Sequence, residues 1–427
     1  MTERLDIIIF GATGYTGKVA VEECVALAKE KGGLTWGIAG RNQGKLAEVI
    51  ADVEKKTGQS LKDVKIVIAN VDDEQSLKDM AKMCKVLVNC VGPYRHWGEQ
   101  AVKACIESGT HHVDVSGEPQ YMEKMQLMYH KQAEEKGVYI VSACGFDSIP
   151  AEIGSLFFSK QFDGEPNAVE TYLTSSNKNR SKGAGIHYGT WESAVYGLAH
   201  ANELRPLRRQ LFPHRLPSMS PKLQSRGAVF RSPVGRGWCL PFLGSDLSVM
   251  RRSQHYFHEK KGQRPLQIQC YFTLPSLIAV LGVMFVASIF FVLTKFGWGR
   301  KLLLSYPKLF SFGFVSHEGP TEESRKDTKF AITFVGEGWA EKKADGNQHT
   351  SSPDTRVVTK VSGFDPGYGF TTRCLLLCAT TIMSEANKMP GKGGVYPPGA
   401  AFAETSLMSK LQTHGLTMEV VEKKKID

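Results

Sequence analysis

The chain has 427 residues, 42% apolar and 22% charged, an ordinary globular mixture long enough for two to three domains. Its net charge of +10 is uneven: residues 205–264 hold 13 of the 53 Lys/Arg but only 2 of the 43 Asp/Glu, so the remainder is near neutral. Nine cysteines without a paired C-x-x-C or short spacing to histidine argue against a disulfide framework or a metal site, and no secretory signal is expected before the first strand.

That first strand and its turn dominate the reading. Residues 5–17 run Leu-Asp-Ile-Ile-Ile-Phe-Gly-Ala-Thr-Gly-Tyr-Thr-Gly. A continuous apolar run reads as a strand covered on both faces. Glycines spaced Gly11-x-x-Gly14-x-x-Gly17 let the turn tighten and let backbone N–H groups approach a pyrophosphate at a helix N-terminus. The second strand, residues 35–40, ends in Arg41 and Asn42 where an NAD site usually carries an acid. Arginine there can fork onto a 2′-phosphate, which favours NADP(H) over NAD(H). The alternative is a solvated loop cation.

Helical and strand patterns then alternate: helix 18–31, helix 43–56, strand 65–71, helix 74–83, strand 85–90, helix 98–108, strand 111–115, helix 118–136 and strand 138–143. Such alternation predicts a parallel doubly wound sheet, with ligands at the carboxyl ends of its strands. Beyond Pro150 the pattern predicts helices 151–160 and 189–204 and a strand at 169–174. A basic, proline-interrupted stretch follows. Residues 328–336 and 354–362 alternate like antiparallel strands, and helix 371–388 stops at Pro390-Gly391.

Residues 274–293 carry no charge, a length matching the roughly 30 Å hydrocarbon core of a bilayer. Lys261 and Arg264 precede the stretch; Lys295, Arg300 and Lys301 follow, with Trp298 and Tyr306 just beyond. The alternatives are a buried core helix and an apolar dimer interface.

In order along the chain, Gly11-Ala-Thr-Gly-Tyr-Thr-Gly17, Ala39-Gly-Arg41-Asn, Val88-Asn-Cys-Val-Gly-Pro-Tyr94, Val113-Asp-Val-Ser-Gly-Glu118, Gly145-Phe-Asp-Ser-Ile-Pro150 and Gly393-Gly-Val-Tyr-Pro-Pro-Gly-Ala-Ala401 resemble the saccharopine dehydrogenase-like oxidoreductases. The chain is similar also to the trans-acting enoyl reductases that work on lipid chains. The resemblance implies an α/β fold with a Rossmann domain at 1–147 and a second domain, carrying a mixed sheet, in two parts at 148–264 and 319–389. The apolar segment falls at 265–318, and residues 390–427 return to the Rossmann domain. It further implies that Gly11, Thr13, Gly14, Tyr15, Thr16 and Gly17 line the pyrophosphate, and that Arg41 meets the 2′-phosphate. Val91, Gly92, Pro93 and Tyr94 would lie near the nicotinamide, with Asp114, Gly117 and Glu118 shaping the cleft wall. For Gly92-Pro93 a simple turn, and for Asp114 a helix cap, remain open.

No proton donor stands out. Tyr94 is the candidate, against a packing role, because no Tyr-x-x-x-Lys pair of the short-chain dehydrogenase kind is present. The cations that a dicarboxylate such as saccharopine requires are not identifiable, and the charge-free segment is foreign to the soluble saccharopine-forming enzymes. The expected function is NADP(H)-dependent oxidoreduction of a hydrophobic or lipid-like substrate at a lipid surface. A lipid droplet or the cytosolic face of a mitochondrial or endoplasmic-reticulum membrane is the expected location. The other class is a catalytically silent surface scaffold. Nucleic acid is not an expected partner; a homodimer is possible. Because the resembling fold needs both flanks on one side, a monotopic insertion is expected, bending at Gly282 or Pro275, with the basic stretch at 205–264 holding headgroups.

Overall fold

The computed structural model describes residues 3–177, 183–343 and 349–426. Six strands alternate with helices at the start of the chain: β1 (Leu5–Phe10), β2 (Trp36–Gly40), β3 (Lys65–Ile68), β4 (Cys84–Asn89), β5 (His111–Asp114) and β6 (Tyr139–Val141). They pair in parallel in the order β3-β2-β1-β4-β5-β6, and Gly394–Tyr396 adds a seventh strand beside β6. This is the doubly wound order in which the sheet reverses direction between β1 and β4. β1 is apolar on both faces for that reason. Ile7 and Ile9 enter one core while Ile8 and Phe10 enter the other.

The second sheet also has seven strands. Its order is Thr417–Lys425, Thr355–Phe364, Thr328–Trp339, Glu165–Asn177, Gln267–Leu274, Trp238–Pro241 and Phe230–Arg231. Neighbours run antiparallel, except that Gln267–Leu274 lies parallel to Glu165–Asn177, so the sheet is mixed. One core cluster passes through both sheets by way of helix Gly369–Glu385, whose Leu375, Leu376 and Leu377 are all buried.

Four points differ from expectation. The proline-rich basic stretch contains a regular helix, Asp246–Lys261, formed where the prolines pause between Pro241 and Pro265. Four of its ten arginines are also committed to internal contacts. Arg208 forks onto Glu123, Arg226 forks onto Glu170, Arg252 donates to Gln126, and Arg264 donates to Asn167. Those four are held inside the fold and are not free for headgroups. Third, the charge-free segment does not bend at Gly282: Leu277–Thr294 is one continuous helix, started by Ser276. Residues 390–427 divide, because Gly394–Tyr396 joins the first sheet whereas Thr417–Lys425 edges the second.

Among the described residues, Leu277–Thr294 is the one helix long and apolar enough to cross a membrane. It is not a core helix. Only Val280 and Thr294 are buried, while Ile278 is 82% and Phe285 63% exposed.

Candidate functional site

The carboxyl ends of β1, β2 and β4 open into a cleft of about 340 Å³ lined by Phe10, Gly11, Thr13, Gly14, Gly40, Arg41, Val71, Asp72, Cys90, Val91, Gly92 and Trp97. Its floor is the glycine turn. Gly11 holds φ +84°, and a Cβ there would meet the Val91 side chain at 2.8 Å. Only glycine takes both constraints without cost. Gly14 caps helix Tyr15–Lys31 with no side-chain bond, and that helix therefore starts three residues before the expected position 18. Its first N–H groups are left for a ligand. The absent side chains thus form a cradle that fits a dinucleotide pyrophosphate.

Arg41 is exposed at the end of β2, on the same rim. Asn42 beside it caps helix Gln43–Thr57, its Oδ1 accepting the Lys45 N–H at 3.0 Å. Of the expected pyrophosphate residues, Gly11, Thr13 and Gly14 line the cleft; Gly17 is buried behind it. Thr16 does not line it. Tyr15 turns its side chain away, stacking on His187 at 5.2 Å, meeting Tyr368 edge-on at 4.5 Å, and donating its hydroxyl to the Pro320 carbonyl. It locks the glycine turn to the second domain.

Val91 and Gly92 line the opposite wall. Pro93 is the N-cap of helix Tyr94–Ser108, whose first turn is held by Glu118: Oε1 accepts the Tyr94 N–H at 2.9 Å and Oε2 the Arg95 N–H at 3.0 Å. Glu118 is thus a structural cap. Tyr94 is buried, its hydroxyl donating to the Asn89 carbonyl at 2.9 Å and its ring stacked on Tyr121. Those contacts hold β4 to the helix and are those of a packing residue. Asp114 is fully buried and accepts from Ser142 at 2.8 Å and Tyr121 at 3.1 Å; burial raises its carboxyl to about 6. It caps no helix.

Two carboxyls escaped the sequence reading. Asp147, in the loop after β6, stands half-buried beside exposed Gly117, its Oδ2 3.7 Å from where a Gly117 Cβ would lie. Behind it Asp246 is buried, with Oδ1 lacking a hydrogen-bond partner. Burial raises Asp147 to about 6; burial and the Asp147 charge raise Asp246 also. The position of Asp147 in Gly145-Phe-Asp-Ser-Ile-Pro150, at a strand's carboxyl end, was a usable signal. Asp246 gave none, since only the second domain brings it near.

Helix Tyr188–Ala199, from the second domain, packs against the residues that support the cleft wall. On one side Ser193 donates to Glu118 Oε1 at 2.9 Å and the Tyr196 ring meets His96 edge-on at 4.8 Å. On the other, Trp191 donates to the Leu303 carbonyl at 2.9 Å and packs edge-on against Phe290 of the apolar helix at 4.7 Å. One helix therefore touches both the Glu118 support of the cleft wall and the apolar helix.

Residues 7–141 match the family described as the saccharopine dehydrogenase NADP binding domain. Over nearly the full length, the chain is 40% identical to the saccharopine dehydrogenase-like oxidoreductase of Mus musculus, covering 98% of each. It is 35% identical to a Caenorhabditis elegans protein named lipid droplet localized protein, again covering 98% of each. The apo saccharopine dehydrogenase (L-Glu forming) of Saccharomyces cerevisiae shares the fold, with a TM-score of 0.55 at 11% identity over 98% of this chain and 100% of that one. With the glycine cradle, the doubly wound sheet and this full-length likeness together, the chain belongs to the saccharopine dehydrogenase-like oxidoreductase family, whose nucleotide-binding domain it carries.

Proposed function

We propose that the protein is an NADP(H)-dependent oxidoreductase acting on a hydrophobic or lipid-like substrate at a lipid surface, a lipid droplet or the cytosolic face of an organelle membrane, and not on saccharopine. The observation that carries this reading is helix Tyr188–Ala199, which braces the cleft wall through Ser193 and the bared apolar helix through Trp191. A worm relative named for lipid droplets supports the location. Arg41 supports the choice of NADP(H) and is the only cation among the residues lining the cleft.

A bound nicotinamide would supply or accept the hydride. The chain's own work is to hold and orient: N–H groups at the start of helix Tyr15–Lys31 grip the pyrophosphate, Arg41 the 2′-phosphate, and the Val91–Gly92 wall positions the ring. Glu118 keeps that wall rigid.

The test is single-turnover NADPH oxidation with enoyl and carbonyl lipids in vesicles, beside NADP⁺ reduction with saccharopine. Oxidation with a lipid and silence with saccharopine is the expected result. NADPH binding without turnover on any acceptor would make the protein a scaffold, and saccharopine turnover would overturn the substrate assignment.

A further inference from the structure

The apolar helix Leu277–Thr294 is tied to the folded body at both ends. Before it, Leu274 pairs with Trp238 in the second sheet. After it, Gly299 lies so close that a Cβ would sit 2.2 Å from the Leu293 carbonyl oxygen, and Leu303 is held by the Trp191 indole. Eighteen residues at 1.5 Å each span about 27 Å. A crossing would put the two ends on opposite sides of a slab roughly 30 Å thick. One anchored end would then be dragged through hydrocarbon with its polar backbone and strands. Both ends therefore face the same water, and the helix lies in the plane of the interface, with its packed side on the protein.

Each end carries cations beside aromatics. Upstream, Arg231 sits 5.3 Å from the Trp238 ring, and Arg236 is exposed nearby on the turn leading into the strand Trp238–Pro241, which packs against the helix. Downstream, Lys295 lies 4.5 Å over Phe291, Phe296 stacks on Trp298, and Lys301 is exposed. No Asp or Glu occurs in residues 204–245 or 260–317, so nothing in these stretches neutralises the two ends. A helix lying in plane sets both groups at headgroup depth.

We propose that this face docks on an anionic phospholipid surface, with the apolar helix immersed in plane and two clamps, Arg231 with Arg236 and Lys295 with Lys301, on headgroups at its two ends. The proposal rests on the lipid-surface part of the proposed function and adds the chemistry of the lipid. Neutral lipid alone satisfies the apolar face but leaves four cations unpaired. The same apolar face could instead cover a second copy of this chain, which the test separates.

The test is flotation of the full chain with vesicles of phosphatidylcholine alone or doped with phosphatidylserine, at physiological ionic strength. Partitioning should favour the anionic vesicles by at least about a hundredfold and weaken as salt rises. At roughly fivefold per cation near the surface, Arg231→Ala/Arg236→Ala and Lys295→Ala/Lys301→Ala should each cost about 25-fold on anionic vesicles and little on neutral ones. Leu281→Asp/Phe285→Asp should abolish both, and retained NADPH binding verifies that each variant folds. Equal binding to the two compositions, or clamp variants that bind like the parent, would overturn the proposal. A dimer in sedimentation that the apolar variant dissolves, with no flotation, would assign the face to a second copy. Flotation needs no turnover, so a catalytically silent protein would still float, and failure here is distinct from failure of the enzyme reading.

Discussion

The Cβ that Gly17 lacks would lie 2.1 Å from the carbonyl oxygen of Gly11 and 2.8 Å from the Cα of Ala12. Those are backbone atoms, which cannot rotate aside. Gly17→Ala should therefore push the helix off the turn, costing about 1–3 kcal/mol as overpacking does and removing NADPH binding. Thermal unfolding with and without NADPH checks it: the variant should melt lower, and the ligand should no longer raise its midpoint. Gly14→Ala, whose Cβ would stand 3.3 Å from the same oxygen, should be the milder of the two.

Arg41 decides between the two dinucleotides if its guanidinium holds the 2′-phosphate. A hydrogen bond to a charged group is worth about 1.5–3 kcal/mol. Arg41→Ala should thus weaken NADPH binding by about 10- to 100-fold in calorimetry while leaving NADH unchanged. Equal affinities for the two in the parent protein would remove the assignment.

The Arg208–Glu123 pair tests whether the basic stretch is structural. Glu123 is buried, and Arg208 forks onto it while both bond Ser248. Arg208→Ala strands a buried carboxylate. Because the Arg208 side chain is 40% exposed, we expect about 2 kcal/mol in urea unfolding, below the value for a fully buried pair. No change would mean that the stretch is free for other work.

Glu152 gives the protein a pH dependence of definite sign. It is buried, accepts from Ser253 at 2.6 Å, and burial raises it from 4.5 to about 7. The folded state then holds a proton that the unfolded chain releases earlier, so this group's contribution to stability is lost as pH rises from about 4.5 to about 7. Unfolding free energies measured across that window should fall less steeply in Glu152→Gln. A parent and variant with parallel slopes would show that Glu152 keeps an ordinary pKa.

The residues of the nucleotide cradle were legible because their meaning is local. A buried strand, a glycine turn and a helix start occupy residues 5–17; the steric demand on Gly17 comes from Gly11 and Ala12 inside that stretch, and that on Gly11 from its positive φ together with Cys90 and Val91. The alternation of strands and helices was legible for a similar reason, since each period reports which face of its own element is buried. Helix Asp246–Lys261 was not, because prolines on either side masked the sixteen-residue helix between them.

By itself the sequence determined a glycine-bearing first turn at a helix start, a doubly wound sheet and a charge-free helix, since each depends on side chains within a few residues of one another. Tertiary structure alone decided that Tyr15 faces His187 rather than the cleft, that Asp246 stands behind Asp147, and that one helix joins the cleft to the apolar face. These partners are far apart in the chain, and their contacts exist only once both sheets are closed around helix Gly369–Glu385. The same closure fastens both ends of the apolar helix to the folded body, which hydropathy cannot report because it measures affinity for lipid and carries no information about what the flanks are attached to.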